Sequence, residues 1–509
     1  MDRTKKNKKK YANYLFAMIN GIMVLIFTWI LLLLCLGRKI TYACKVEWKV
    51  GNIILLLFGI GCIYLIKKIP IRFFDMISNN RKVVLSVALL FFLVQVYIFY
   101  CIYFETGWDS GEKVIPAVRA LLTKEEIPTL SYFEIYPNNL FLVHFYYVIL
   151  KISSKIGIFT GTYQLMPIII CNCLISSLSC LMVYFIGKKR VSPRVTWGCY
   201  LWMLFIVGLS PWNVICYSDA VALFFPICIV YVYMNMTLNR YLKYGIIFIL
   251  GYVGYCIKPQ VAIVIIAIII VEIIRFIQEK NKRHAIKIAK IFFISCCIVC
   301  LFSVGLQRVY QNNGFVKNKD REFGISHFFM MGLNEEFNGI FYEEDVRMSS
   351  ECMTSAERRE KNIEIAKERL KNYGCVGYLK FLSKKMLTNY NDGTFAWGVE
   401  GSFYKTIPDN PKARLTYQFR NVYYNSGTCY KYFSTMEQFL WITMIGAVWY
   451  MAMKELIARN MNYNILLVKL SIIGITVFEL LFEARARYLY LYVPLYAIFV
   501  LLGSRVKAE

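Results

Sequence analysis

A chain of 509 residues that is 58% hydrophobic and 18% charged, with a mean hydropathy of +0.49, is too apolar for a water-soluble globule. Its net charge of +27, from 59 basic and 32 acidic residues, would suit nucleic acid if it formed one patch. The lysines and arginines instead collect in alternate connections between apolar runs, the pattern of a polytopic membrane protein with its basic loops inside.

A helix that crosses a hydrocarbon layer of about 30 Å needs about 20 mostly apolar residues. Twelve segments answer to that, at 12–36, 50–66, 83–104, 165–187, 195–210, 220–237, 244–257, 260–276, 290–308, 436–453, 464–482 and 488–503. The run at 244–257 is short, and only Lys258-Pro259 separates it from the next. The basic connections at 5–10, 67–82, 188–194, 240–243, 275–290, 454–459 and 505–507 place both termini inside; the loop carrying Arg38, Lys39, Lys45 and Lys49 breaks the alternation. No cleaved leader is expected, because the first span is too long and no small-residue cleavage site follows it. Most of the 17 cysteines fall within apolar runs as small hydrophobes, so that only Cys44, Cys352, Cys375 and Cys429 are placed to pair outside the bilayer, and no disulfide is expected.

On the outer side this topology leaves two long segments, 105–164 and 308–436. In the first, 112–122 reads as a helix with Val114, Val118 and Leu121 on one side. The stretch 140–151, rich in aromatic and aliphatic residues, is too short to span and reads as a helix lying in the interface, entered through the turn Tyr136-Pro137-Asn138-Asn139. The second segment reads as a small domain, with a helix signalled by Thr354 and Glu357 at capping-box spacing and ending near Gly374, between aromatic and Gly/Asn-rich stretches at 328–334 and 390–403. The chain thus divides into a membrane domain at 1–308, an external domain at 309–435 and terminal spans at 436–509. No Walker motif, Rossmann glycine pattern, nucleophile elbow or fixed-period repeat is present.

The residues that suggest chemistry lie at the outer ends of apolar runs. The run 83–104 empties into Glu105-Thr106-Gly107-Trp108-Asp109-Ser110-Gly111-Glu112. An aromatic anchor followed by polar residues also marks an ordinary loop start, but a carboxylate against an apolar surface has a raised pKa and suits a base acting on a hydroxyl. Asp109 is the first choice for that base, with Glu112 beside it. Asp219, in Tyr217-Ser218-Asp219, fits an ordinary helix N-cap, and equally a second acid that orients an acceptor or holds a cation. Lys258, Arg485 and Arg487 are cations at outer helix ends, where the inside rule disfavours them, and an Arg fork binds two phosphate oxygens at once. Glu483 stands at i,i+4 from Arg487, which would make a structural pair. Tyr136, Asn138 and Asn139, in the same outer segment as the acidic loop, are candidates for contact with a sugar.

This order of a first-loop acid, juxtamembrane helices and a second-loop acid resembles the GT-C superfamily of integral membrane glycosyltransferases, which includes protein O-mannosyltransferases, aminoarabinose transferases and oligosaccharyltransferase catalytic subunits. The resemblance spans about 83–305 in topology. The stretches 136–139 and 258–260 look like bacterial members related to protein mannosyltransferases, and 483–488 resembles a late family segment that supplies an Arg near the donor phosphate. The resemblance implies catalysis by an Asp that maps to Asp109 in Trp108-Asp109-Ser110-Gly111, a second acid at Asp219, a sugar donor on polyprenyl phosphate or diphosphate, and action outside the cytoplasm. The chain departs from the pattern where Ser110, not a second acid, follows Asp109, and it lacks both the O-mannosyltransferase repeats and the WWD-type signature of oligosaccharyltransferases. The expectation is an inverting glycosyltransferase in a bacterial cytoplasmic membrane, handing a sugar to a surface or wall glycan. No nucleic acid is expected as a partner, no cofactor is assigned, and a divalent cation is left open. A transporter or flippase of lipid-linked glycans and a polysaccharide polymerase are the rival readings.

Overall fold

The computed structural model describes residues 3–37, 49–279, 282–409, 413–458 and 462–505. Among them the architecture is all-α and polytopic, with ten helices long and apolar enough to cross a membrane. These are Tyr14–Leu36, Gly51–Lys68, Arg81–Cys101, Gly161–Lys188, Ser218–Asn235, Pro259–Gln278, Ile286–Asn312, Tyr430–Ala458, Tyr463–Leu481 and Ala486–Gly503. Two expected spans form helices that fall short of this. Residues Pro193–Met203 continue as a π-turn through Gly208, and 16 residues at 1.5 Å each reach about 24 Å. Arg240–Ile257 carries Arg240 and Lys243 in its first turn. The loop 38–48, where the charge alternation breaks and Cys44 lies, is outside the described residues; Cys352, Cys375 and Cys429 are free thiols.

The most buried helix is Ala486–Gly503, 94% enclosed, followed by Ser218–Asn235 at 78%, whereas Gly51–Lys68 and Ile286–Asn312 are only 11% enclosed and form the rim. Met166–Lys188 is the other central post, packing on Arg81–Cys101, Pro193–Met203, Phe224–Asn235 and Val493–Gly503. The N-terminal hairpin closes the bundle by lying on Tyr430–Ala458. Inside, Lys469 is ion-paired with Glu455 and also donates to Asn20 Oδ1, which joins three helices; polar groups in the hydrocarbon layer must be satisfied in this way from within the protein.

One end of the bundle gathers the basic connections. Lys188 donates to the Ser78 carbonyl at 2.8 Å, and Arg190 reaches the Met234 carbonyl at 2.6 Å. Ser218–Asn235 spans about 25 Å between that end, at Asn235, and the opposite one, at Ser218. That opposite end is roofed by the two long connections. The first holds helices Ile115–Thr123, Leu130–Ile135 and Leu140–Ile156; the last has 17 residues, longer than the interfacial stretch expected. Residues Pro137–Asn139 form the turn that enters it.

The second connection contains helices Ile325–Met331, Glu343–Ser350 and Ser355–Tyr390. Thr354 caps the helix by accepting from the Glu357 amide, and the Glu357 carboxylate reaches back one residue beyond the N-cap to the Met353 amide, a variant of the expected capping box. The long helix breaks at Gly374, where φ is 57°, in agreement with the end expected there. The two connections join through an antiparallel pair, Glu105–Thr106 against Tyr404–Thr406, with Glu105 opposite Thr406 and Thr106 opposite Tyr404.

Candidate functional site

The first acidic loop is shaped before it is charged. The Gly107 amide donates to the Phe403 carbonyl at 2.8 Å, and Trp108 takes φ +40°, a left-handed conformation that costs a non-glycine residue energy and marks a constrained loop. The chain then folds back so closely that a Cβ on Gly111 would lie 1.7 Å from the Thr106 carbonyl oxygen, so only glycine fits. Ser110 Oγ donates to the Cys216 carbonyl at 2.8 Å, which ties this loop to the segment before Asp219.

Asp109 therefore faces an aromatic wall. Tyr217 Oη lies 3.5 Å from its Oδ2, and the Tyr132 hydroxyl bonds to it as well. Buried Asn139 donates to Tyr132 Oη at 2.8 Å, and Tyr146 Oη donates to the Tyr217 carbonyl at 3.1 Å, so both tyrosines are held from behind. Burial pushes the Asp109 carboxyl above the usual range, and the Tyr132 hydrogen bond and the Arg487 charge offset only part of that. Tyr136 stacks obliquely on Tyr132 with ring centres 5.1 Å apart.

Beside this wall lies a knot of charges. Asp219 is ion-paired with Lys258 through Oδ1 and with Arg487 Nη1 through Oδ2 at 3.0 Å. Its helix, Ser218–Ala222, is preceded by Tyr217 with no side-chain cap, so Asp219 is not the N-cap its position suggested. With both oxygens taken by cations it holds the knot together. Among the described residues no group of three or more His, Cys, Asp and Glu side chains is placed to hold a metal ion.

The segment after Leu481 is extended before it turns into the 3-10 stretch Ala486–Tyr492, so Glu483 and Arg487 do not make the i,i+4 pair of a helix. Glu483 instead accepts from Arg485 Nε at 2.8 Å and from Tyr488 Oη at 3.2 Å. Burial raises its carboxyl, but Arg485 reverses this and holds it below the usual range; the Arg485 guanidinium, drawn down by burial, is raised in turn by Glu400 and Glu483. Arg487 lies 4.8 Å from the Trp108 ring centre and 5.8 Å from that of Tyr217, so the phosphate-type fork and the candidate base share one set of aromatic rings.

Of the sequence-derived residues, the structure brings together Asp109, Tyr136, Asn139, Asp219, Lys258, Glu483, Arg485 and Arg487. Glu112 is exposed on the π-turn Ser110–Val114, outside the buried knot. Asn138 is exposed as well and lines a neighbouring groove. Sequence reasoning missed Tyr132 and Tyr217, and above all Glu400, which contacts Arg485 Nη1 at 3.2 Å and Arg487 Nε at 3.1 Å. Its only sequence signal is an acid between Gly398 and Gly401 in the aromatic stretch 390–403.

A family model described as "conserved hypothetical integral membrane protein" matches residues 4–507. The chain belongs to that family. No curated protein and no solved structure matches it. The family match fixes a multi-pass membrane protein, and the chemistry of the site has to be argued from the site itself. It offers a half-buried carboxyl of raised basicity, hydroxyl donors around it, and two guanidinium forks at its side. That combination suits removing a proton from one group while charge builds on another.

Proposed function

We propose that the protein is a glycosyltransferase that moves a sugar from a polyprenyl-phosphate-linked donor to a glycan acceptor, at the outer face of a bacterial cytoplasmic membrane and with inversion at the anomeric carbon. The observation that carries this reading is the placement of Asp109 against the rings that also cover Arg487. Asp109 takes the proton of an acceptor hydroxyl, and the oxygen forms a bond to the anomeric carbon. The bond from that carbon to the phosphate oxygen breaks, and the electron pair leaves on a phosphate matched by Arg485, Arg487 and Lys258. Tyr132 and Tyr217 orient the carboxylate.

A lipid-linked donor also explains why the site sits where bundle and roof meet. Beside it is a groove of about 400 Å³ lined by Asn138, Tyr252, Tyr255, Pro259, Ser303 and Tyr310, among others, where an isoprenoid chain can lie between two helices. Pro259, which lines the groove, follows Lys258 directly in the chain.

The test is transfer of labelled sugar from a panel of polyprenyl-phosphate sugars in membranes holding the wild type or Asp109→Asn. The variant should lose activity by about 10²- to 10⁴-fold at normal protein level. Full activity in the variant removes Asp109 from the chemistry. Absence of transfer by the wild type with every donor, together with movement of lipid-linked glycan across the bilayer, replaces the reading with transport.

A further inference from the structure

Each cation of the site already faces a carboxylate. Lys258 and Arg487 share Asp219, Arg485 has Glu483, and Glu400 lies between the two arginines, one oxygen toward each. A donor phosphate therefore finds no free positive charge unless one carboxylate withdraws. The contacts differ in quality. Arg485 Nε to Glu483 at 2.8 Å and Arg487 Nη1 to Asp219 at 3.0 Å are aligned hydrogen bonds. The 3.1 Å approach of Glu400 Oε2 to Arg487 Nε is not: both atoms are buried, and neither has a hydrogen-bond partner.

Glu400 also sits on strained backbone that its surroundings hold in place. It belongs to the π-turn Trp397–Gly401, entered through Phe395 and Ala396 at φ +55° and +63°, two successive non-glycine residues in the left-handed region. Asp219, by contrast, is in a helix, and Glu483 is held by Arg485 and Tyr488. A carboxylate spanning two guanidinium groups through its two oxygens copies the way a phosphate would span them.

We propose that Glu400 occupies the seat of the donor's phosphate, and that an entering phosphate group takes its place between Arg485 and Arg487 and releases the 397–401 turn; this rests on the glycosyltransferase reading above. No bond is made or broken in the exchange: one anion replaces another. The release reaches the base, because the turn leads into Tyr404–Thr406, which pairs with Glu105–Thr106, and the Gly107 amide is bonded to the Phe403 carbonyl. Asp109 is two residues beyond Gly107. Phosphate arrival thus repositions the loop that carries Asp109, so that the base is set only when a donor is seated.

The experiment measures binding of farnesyl phosphate, and separately of inorganic phosphate, to the purified full-length protein in micelles, for the wild type, Glu400→Gln, Arg485→Gln and Arg487→Gln. Glu400→Gln removes the competing charge and keeps the shape, so farnesyl phosphate should bind about tenfold more tightly than to the wild type, while both arginine variants lose affinity. The same gain with inorganic phosphate assigns the seat to the phosphate group itself, and a gain with farnesyl phosphate alone makes the lipid tail part of the recognition. Unchanged or weaker binding in Glu400→Gln, with affinity lost in the arginine variants, overturns the exchange and leaves the phosphate site standing. Binding that ignores both arginines, or no binding of either probe by wild type and Glu400→Gln, overturns the glycosyltransferase reading as well. Should Glu400→Gln fail to fold, Glu400→Asp, which pulls the charge back by one methylene, must show a smaller gain of the same sign; an unchanged or weaker affinity there overturns the proposal.

Discussion

Asp109 is the residue whose surroundings give the sharpest physical demand. Its folded-state pKa is raised because burial penalises the carboxylate more than Tyr132 and Arg487 support it. A general base must be ionised in the free enzyme, so the acid limb of kcat/KM should lie above the range of an ordinary exposed Asp and vanish with the activity in Asp109→Asn. The stability consequence has the opposite sense. Across the window between the unfolded and folded pKa values the folded state binds more protons than the unfolded one, so stability falls as pH rises through it. Above the folded pKa that loss is complete, and there Asp109→Asn, which cannot ionise, is expected to melt at the wild-type temperature or above. A thermal scan of the purified variant that showed clear destabilisation would make Asp109 a structural residue. The sequence already singled this residue out, because the signal is short-range: an acid at the mouth of an apolar run. Glu400 had no such signal: what puts it at the site is a fold-level pairing of 105–106 with 404–406, almost 300 residues apart.

At the scale of elements, the roof is fastened to the bundle by one side chain more than any other. Lys385, buried in Ser355–Tyr390, donates to the carbonyls of Gly332, Leu480 and Phe482 at 2.7, 2.9 and 2.6 Å. These acceptors lie on the roof, at the end of Tyr463–Leu481 and on the extended segment that leads to Arg485, so the lysine helps to place the arginines. Lys385→Met leaves the acceptors buried without a donor and should cost on the order of 3 kcal/mol; urea titration in micelles should show it, along with a weaker phosphate affinity even in conditions where the variant is folded. Undiminished affinity would mean that Arg485 and Arg487 are placed by their carboxylates alone. The roof also carries an acid-labile core. His327 is buried, bonds Ser349 Oγ through Nδ1 at 2.7 Å, and is held down to about 4 by burial, with Glu483 and Asp345 pulling the other way and Arg358 adding to the burial effect. A depressed histidine pKa contributes stability above the unfolded value of about 6.5, and that stability drains away as pH falls toward 4. The protein should accordingly lose thermal stability between pH 6.5 and 4, and His327→Gln should flatten that slope. None of this was legible beforehand. The sequence marked Thr354 with Glu357 and the break at Gly374, both local signals, but nothing local points to His327, because its partner Ser349 comes from the next helix.

The whole molecule is a bundle with a polarity. Its basic connections bind one another at one end, and the acid and cation cluster lies at the other, with Ser218–Asn235 running between them. Hydropathy and charge alternation anticipated this because each apolar run must be about as long as the layer it crosses, and each basic loop must stay on its side. Two of the twelve expected segments form helices at 193–208 and 240–257 that are shorter or less apolar than the other ten. Helix Ile286–Asn312 is the opposite case, long, apolar and barely enclosed. Together with Arg240–Ile257 it forms the walls of the groove at Tyr252, Tyr255, Ser303 and Tyr310. A rim helix over a groove that Pro259, the residue after Lys258, helps to line suits a ligand that arrives sideways from the lipid, its head toward the cations and its chain along the groove. A polyprenyl phosphate carrying a photoreactive group on its second or third isoprene should therefore label peptides from 286–312. Ser303→Trp, which fills the groove, should raise KM several-fold for a long-chain donor and leave a donor of one or two isoprenes nearly unaffected, because the short one does not extend past the cations. Equal effects on both donors, or labelling confined to Gly51–Lys68 on the rim, would move the lipid path away from this groove.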